Sequence, residues 1–474
     1  MVRTRLAPSP TGDPHIGTLF QALFNYVYAK KHQGKFIVRI EDTDKKREQE
    51  DSQQLIFESL SWLGLTPDES LLNPGKYGPY LQSKRLDIYQ QHAKKLIDSG
   101  HAYYCFCNQE RIDQVRKEMQ AQGKPPMYDK HCRNLDPKKL EARAKLEPHV
   151  IRLKVPKNQT IIVLDLLRGQ IKFDSNTIDD QVILKTDGYP TYHLAVVVDD
   201  HLMKITHMIR GEEWLSSAPK HVLLYQAFNW EPPQFIHTPL LRNKDRSKLS
   251  KRQNHSSVKW YQDQGYLKEA VINFLATRAW NHPQGKEIFG LQELIKYFDF
   301  KDMHIQGPVA DLDKLNWLNG QWIRSLPQKE IYPSLKLFLP KDLSPALFKK
   351  IWPQINQRIE TLSELPFLTE YFIKEPKLDT KEILKESKVD LETTKDYLLQ
   401  VIKVLEPLKT WTVVSLETTL KEFQLQSDFK PRPAFMTIRL VVTGRAQTPP
   451  LFDVLEILGK KTVISRLLHA QKNL

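Results

Sequence analysis

Apolar positions along the first hundred residues switch between two periods. Residues 2–7 (VRTRLA) read as a short strand, and a loop rich in Pro and Gly runs from Pro8 to Pro14. Ile16, Leu19, Leu23, Tyr26 and Val27 then fall at helical spacing. Gly34 is placed to end this helix as a left-handed cap, and Phe36–Ile40 (FIVRI) is rich in strand formers. Strand, loop, helix and strand in about 40 residues make the minimal unit of a parallel α/β sheet. Two further helices are predicted, from Lys45 to Leu63 ahead of Gly64 and from Ser83 to Ser99 ahead of Gly100.

The rhythm then changes. Residues 102–186 hold all three cysteines, a polar helix (Gln109–Gln122) and short strand-like runs at Val150–Val155 and Thr160–Leu164. They read as an α+β insertion. Strand patterns return at Thr191–Val198 and Phe235–Leu240, with a helix from Ser217 to Phe228 between them. Past residue 325 the pattern is helical, at Ile355–Leu365, Lys395–Leu405 and Leu451–Leu468, the last with the stripe Leu451, Val454, Leu455 and Leu458. The expected order is a first α/β half (1–101), the insertion (102–186), a second α/β half (187–325) and an all-α region (326–474).

Composition narrows the class. At about 150 residues per domain, 474 residues suggest roughly three domains, and 40% hydrophobic residues can fill large cores. The longest aliphatic runs, such as Leu194–Val198, fall far short of the ~20 residues of a membrane span. The start, MVRTRLAPSPTG, has no apolar signal core, and three cysteines cannot staple a secreted domain of this size. A soluble cytoplasmic protein without a membrane partner is expected. The charge is 70 − 56 = +14 with a pI near 9.3, which makes nucleic acid the first partner to consider. Residues 241–260 carry seven Lys or Arg against Asp245, or 7 − 1 = +6.

Two stretches carry chemistry. The first is Pro8-Ser-Pro-Thr-Gly-Asp-Pro-His15-Ile-Gly17-Thr18, a loop that leaves a strand and opens a helix. Such loops lie where parallel sheets bind ligands, and a helix N-terminus suits phosphate. Gly17 permits close approach of a nucleotide, and His15 can donate to a phosphoryl oxygen. The second is Lys248-Leu-Ser250-Lys251-Arg252, whose two lysines three apart can clamp a polyphosphate. Alone, one also reads as a Pro-rich turn and the other as a solvated basic loop. Together, on the two halves of one split domain, both suit a nucleotide.

The pairing resembles the HIGH and KMSKS motifs of class I aminoacyl-tRNA synthetases, and RLAPSPTGDPHIGT resembles the bacterial glutamyl-tRNA synthetase branch. Arg39-Ile-Glu-Asp-Thr-Asp44, Gly188-Tyr-Pro-Thr-Tyr-His193, Val198-Asp-Asp-His201, Ile209-Arg-Gly-Glu-Glu-Trp214 and Asp311-Leu-Asp-Lys-Leu-Asn-Trp317 are similar to that family as well, as are Val442-Thr-Gly and the run from Leu451 to Lys460. The resemblance covers nearly the whole chain. It implies a split Rossmann-type domain with an acceptor-end-binding insertion and an α-helical anticodon-binding region. It also implies a monomer that uses ATP with Mg²⁺ to attach glutamate to tRNA(Glu) through glutamyl-adenylate.

The resemblance assigns positions too. His15, Thr18, Lys248 and Lys251 would serve catalysis, and with Gly17 and Ser250 would bind ATP. Arg5 would pair with the side-chain carboxylate beside Tyr192, and Arg210 with the α-carboxylate. Ser9 and Glu41 would surround the α-amino group, with Ala7 lining the pocket. Arg47 and Arg358 are candidate tRNA contacts. One departure is Val196, where the family often has Asn; the contact that Asn makes is absent or replaced here.

Cys105-x-Cys107 and Cys132 fall within 28 positions, which suggests a tetrahedral thiolate site. Some members bind a structural Zn²⁺ there. The fourth ligand is left open: Tyr128 lies four before Cys132, a spacing found in the family's short relatives, His131 is adjacent, and Asn134 stands where zinc-binding members carry His. Three free thiols are the alternative. Rival functions are a non-discriminating enzyme that also charges tRNA(Gln), a glutamine enzyme (which has Pro-Glu-Pro at 8–10), a short relative without an anticodon region, and a non-catalytic tRNA-binding paralogue.

Overall fold

In this computed structural model the chain enters through β1 (Arg3–Leu6), crosses over by α1 (Ile16–Lys31) and returns as β2 (Lys35–Val38) parallel to β1. Residues 1–44, 49, 51–243, 245, 247 and 256–474 are described. Ile16, Leu19, Phe20, Leu23, Phe24 and Val27 bury the helix against the sheet. The left-handed residue after α1 is Gln33 (φ 51°), not Gly34. Position 34 needs glycine for another reason: a Cβ there would run into the Val2 carbonyl, whose oxygen accepts the Lys35 N–H at 2.9 Å. The helix α2 (Ser52–Trp62) ends at Gly64 (φ 72°); residues 45–48 and 50, within the helix expected there, lie outside the described residues. A 3₁₀ turn, Gln82–Arg85, leads into α3 (Leu86–Asp98), which ends at Gly100 (φ 76°).

Then come β3 (Ala102–Cys105), α4 (Gln109–Ala121), α5 (Pro137–Ala144), β4 (Val150–Leu153), β5 (Thr160–Asp165), β6 (Gly169–Asp174) and β7 (Val182–Leu184). Strands β3, β4 and β7 form an antiparallel sheet of their own. The hairpin β5–β6 leaves it and joins the second half of the α/β domain.

That half contains α6 (Tyr192–Leu202), β8 (His207–Gly211), α7 (Ala218–Ala227) and β9 (Gln234–Thr238). The strand expected at Thr191–Val198 is the helix α6. Leu194 to Asp200 are all fully buried, and a run that is apolar on every side has no period to separate helix from strand. Strands β8 and β9 pair in parallel, β5 flanks β9, and Thr206 N–H donates to Arg3 O at 3.0 Å, which sets β8 beside β1. This is the split Rossmann-type sheet the sequence suggested. Helices α8 (Val258–Asp263), α9 (Lys268–Ala279), α10 (Leu291–Tyr297) and α11 (Leu312–Ser325) follow.

The chain divides into two compact units, Met1–Gln262 with Lys268–Leu315, and Asp263–Leu267 with Asn316–Leu474. The division falls inside α11, ahead of the expected boundary at 325. The second unit is helical: α12 (Gln328–Lys336), α13 (Pro345–Ile355), α14 (Leu365–Ile373), α15 (Thr380–Ser387), α16 (Leu391–Leu405), α17 (Val413–Gln426), α18 (Pro431–Thr443), α19 (Leu451–Leu458) and α20 (Lys460–Asn473). The expected helix at Ile355–Leu365 is instead the end of α13, a turn and a 3₁₀ segment capped by Thr361 and Glu364. The helix expected over Leu451–Leu468 is broken at Gly459 (φ 78°). Leu398, Val401, Leu405, Leu416, Leu455, Val463 and Leu467 form its core. Buried Arg466 donates to the carbonyls of Tyr371 (2.7 Å), Val442 (2.6 Å) and Lys374 (2.8 Å), satisfying groups at the C-terminal ends of α14 and α18. Among the described residues no helix is long and apolar enough to cross a membrane.

Candidate active site

A cleft of about 1220 Å³ opens at the carboxyl ends of β1, β8 and β9, the place where parallel sheets bind ligands. Arg5, Ala7, Ser9, His15, Gly17, Thr18, Glu41, Tyr192 and Arg210 all line it.

His15 is the N-cap of α1, and its Nδ1 accepts the Gly17 N–H at 2.9 Å. A neutral ring therefore carries its proton on Nε2, which leaves that atom as a donor. A Cβ on residue 17 would lie 2.9 Å from His15 Nδ1, so glycine here preserves the histidine's pose. The chain beyond the basic segment returns to this loop: Ser257 pairs with His15, and Val258 N–H donates to Pro14 O at 3.1 Å. Lys248, Ser250 and Lys251 lie outside the described residues, as does Arg47.

Below the loop lies a buried set of three cations and three anions. Arg39, fully buried, meets Asp200 (2.7 Å), Glu41 (3.0 Å) and Asp199 (3.4 Å). Asp199 also accepts from Arg85 (2.7 Å), Tyr89 (2.8 Å) and Gln82 (2.9 Å). Asp200 holds Arg5 at 3.2 Å. Arg5 Nη1 donates to Ile209 O at 3.2 Å, while its Nη2 has no partner among the described residues and remains for a ligand. Burial raises the Glu41 carboxyl above its ordinary value against the pull of Arg39 and Arg5.

Arg210 lies across the cleft. Its Nη1 donates to Tyr192 Oη at 2.9 Å and contacts His221 Nδ1 at 3.2 Å; its Nη2 donates to Trp214 O at 3.3 Å. Its Nε donates to His237 Nε2 at 3.0 Å. The Tyr192 ring packs on Trp214 at 4.3 Å. Burial and the Arg210 charge push His221 well below its usual range, so it stays neutral. Two arginines and one carboxylate around one cleft match a ligand with two carboxylates and one ammonium group.

Residues 1–317 match the family "tRNA synthetases class I (E and Q), catalytic domain", and residues 329–471 match "Anticodon binding domain". The chain belongs to the class I tRNA synthetases of the E and Q group. Its relatives include the glutamate–tRNA ligases of Marinomonas sp. (strain MWYL1), 45% identical over 99% of this chain and 95% of that protein, and of Pseudomonas syringae pv. syringae (strain B728a), 44% identical with the same coverage. The synthetase is also similar to the crystal structure of a glutamate tRNA ligase from Elizabethkingia meningosepticum CCUG26117 in complex with its amino acid. That match has a TM-score of 0.91 and 33% identity, over 100% of this chain and 99% of the other. The glutamate–tRNA synthetase of Elizabethkingia anophelis gives 0.89 at 33% identity, with both chains fully covered.

Elsewhere in the synthetase, Cys105, Cys107 and Cys132 converge at the end of β3, their sulfurs all within 4.8 Å of one another. Cys107 and Cys132 are 3.7 Å apart, and Tyr128 Oη stands 3.4 Å from Cys105 and 3.5 Å from Cys107. With Zn–S near 2.3 Å and Zn–O near 2.0 Å, a tetrahedral site has S···S edges of about 3.8 Å and S···O edges of about 3.5 Å. The donor set fits zinc. The hydrogen bond shared by Cys105 and Cys132 pushes the Cys105 thiol down and the Cys132 thiol up, so one proton is held between the pair. Arg152 stacks over Tyr128 at 4.0 Å and Arg111 donates to Cys107 at 3.5 Å, which places positive charge beside an anionic site.

In the helical unit Arg358 is exposed on the turn after α13. Arg445 stacks 3.6 Å above the exposed ring of Phe367. Val196 is fully buried in the apolar core and does not line the cleft. Sequence reasoning missed Arg85, Asp165, His221 and His237, and took Arg39, Asp199, Asp200 and Trp214 only as family blocks. Asp199 and Asp200 at the end of an apolar run were the available signal, since charge there must be paired.

Proposed function

We propose that the chain is a glutamate–tRNA ligase. The observation that carries the reading is the open Nη2 of Arg5 in a cleft that also holds Glu41, Tyr192 and Arg210. A guanidinium matched to a side-chain carboxylate excludes the amide of glutamine, which would turn N–H groups toward N–H groups. Arg210 meets the α-carboxylate beside Tyr192, Glu41 and Ser9 receive the α-amino group, and Ala7 lines the pocket.

A glutamate α-carboxylate oxygen attacks the α-phosphorus of Mg²⁺-bound ATP, and the bond to pyrophosphate breaks. The terminal 2′-hydroxyl of tRNA then attacks the carbonyl carbon and AMP departs. In-line transfer needs positioning and charge neutralisation, not a protein nucleophile. His15 Nε2 donates to phosphoryl oxygen, the start of α1 with Gly17 and Thr18 receives phosphate, and Lys248, Ser250 and Lys251 complete the clamp. Such donors are worth ~3 kcal/mol each, so two or three supply roughly 6–9 kcal/mol, or ~10⁴–10⁶ in rate.

Cys105, Cys107, Cys132 and Tyr128 hold one structural zinc that stabilises the insertion gripping the tRNA acceptor end. Arg47 contacts the tRNA body and Arg358 the anticodon, where bases stack on arginine planes. The enzyme works as a monomer in the cytoplasm. The test is glutamate charging of tRNA(Glu) and tRNA(Gln) transcripts side by side. Charging of tRNA(Glu) alone supports a discriminating enzyme. Charging of both supports the non-discriminating reading. Neither charging nor tRNA-dependent pyrophosphate exchange would refute the catalytic reading and leave a tRNA-binding paralogue.

A further inference from the structure

Asp165 comes from the insertion, yet its carboxylate reaches the cleft's machinery. Strand β5 pairs with β9, with Asp165 opposite Phe235, and Arg210 on β8 is the register partner of His237 on β9. Three side chains therefore stand in line across three adjacent strands. Asp165 Oδ2 accepts from His237 Nδ1 at 2.7 Å and from the His237 backbone N–H at 3.0 Å. His237 Nε2 accepts from Arg210 Nε at 3.0 Å. The other Asp165 oxygen accepts the N–H groups of Leu167 and Arg168, both at 3.0 Å, so the turn after β5 fixes the carboxylate. The side chains of Asp165 and His237 are fully buried.

We propose that Asp165 and His237 are positioning residues for Arg210, which makes the β5–β6 hairpin a working part of the carboxylate-binding site. The carboxylate holds the imidazole proton on Nδ1. Nε2 therefore keeps its lone pair for Arg210, and the guanidinium plane is set before a ligand arrives. The opposite tautomer would face Nε2–H against the Arg210 Nε–H and turn the guanidinium out of register with Tyr192. A ligand carboxylate then meets a guanidinium already fixed in orientation, and less ordering is lost on binding.

This inference rests on the reading of the cleft as the glutamate site, so wild-type charging with glutamate, ATP and tRNA comes first; its failure sinks that reading and not this one. In Asp165→Asn the oxygen can stay on the turn; the amide NH₂ then faces His237 Nδ1, where it forces the wrong tautomer, and also the His237 backbone N–H, which loses its acceptor. The expected result is a glutamate KM raised about tenfold or more, as for losing a hydrogen bond to a charged group, with ATP KM unchanged. His237→Gln offers an acceptor near the Nε2 position and should stay within about threefold of wild type. Arg168→Met removes the ion pair to Glu212 (2.6 Å) and the bond to His237 O (3.3 Å) but leaves the imidazole–Arg210 bond. It too should leave glutamate KM within about threefold. An unchanged KM in Asp165→Asn, or an equal rise in Arg168→Met, overturns the proposal, the second outcome showing that the hairpin merely anchors. Should Asp165→Asn fold poorly in thermal melting, His237→Phe is compared with His237→Gln. The Phe variant should carry the KM rise, and equal values in the two refute the role.

Discussion

Alanine at position 17 should disable His15 without touching it. The added Cβ would sit 2.9 Å from His15 Nδ1 and 3.6 Å from its Cε1, where the wild-type backbone N–H now donates. The ring must swing away or the first turn of α1 must shift. Either breaks the cap, which costs about 1 kcal/mol. Alanine gives back up to about 1 kcal/mol of helix propensity in exchange, so net stability should hardly change. The Nε2 donor, however, leaves the position from which it is proposed to reach a phosphoryl oxygen. Losing one such donor costs ~3 kcal/mol, or ~10² in rate. Pyrophosphate exchange with glutamate, ATP and tRNA measures this step directly. Gly17→Ala should fall about a hundredfold with a thermal midpoint close to wild type. In a His15→Ala background the same substitution should cost almost nothing further, because the two share one interaction. Exchange near the wild-type rate, or a full additional loss in the His15→Ala background, would refute the reasoning.

Asp199→Asn strips a charge from Arg85 and Arg39 in the dry network. It should destabilise the catalytic unit by about 3–5 kcal/mol in urea unfolding, and a loss below about 1 kcal/mol would mean the network is hydrated. Burial holds the folded Glu41 pKa above its ordinary 4.5. Its stabilising contribution is therefore complete below 4.5 and is lost as pH rises through the folded value. The carboxylate formed over that window is what an ammonium binds, so glutamate KM should fall with rising pH, and Glu41→Gln should flatten the profile. Metal analysis should find one zinc per chain; a strong chelator should raise tRNA KM and open the insertion to protease, while Cys107→Ser should purify with well under one zinc.

The first α/β unit was legible because its signals are local. The helical spacing from Ile16 to Val27 and the strand formers beside it sit within 40 residues. Legibility failed where burial erased the period, as in α6, whose Leu194–Val198 segment is covered on every side. It failed again at Ile355–Leu365, where apolar residues anchor a turn instead of a helix face. The cleft's motif residues were legible through spaced blocks, but their supports were not. Asp165 and His237 are 72 positions apart, and Arg39 and Asp200 are 161 apart. Only the folded sheet makes such pairs neighbours.

The β5–β6 hairpin also bears on how small a catalyst could be cut from this chain. In the strand order β6–β5–β9–β8, the hairpin is what covers the outer side of β9. Excising residues 102–186 as a dispensable module would strip that side and leave the Phe235 carbonyl and the His237 N–H and carbonyl without their partners, an edge open to pairing with another molecule. A minimal catalytic fragment that stays monodisperse should therefore retain residues 160–174, and because β7 follows the hairpin yet pairs with β4, the sheet β3–β4–β7 is removed whole only by cutting on both sides of the hairpin.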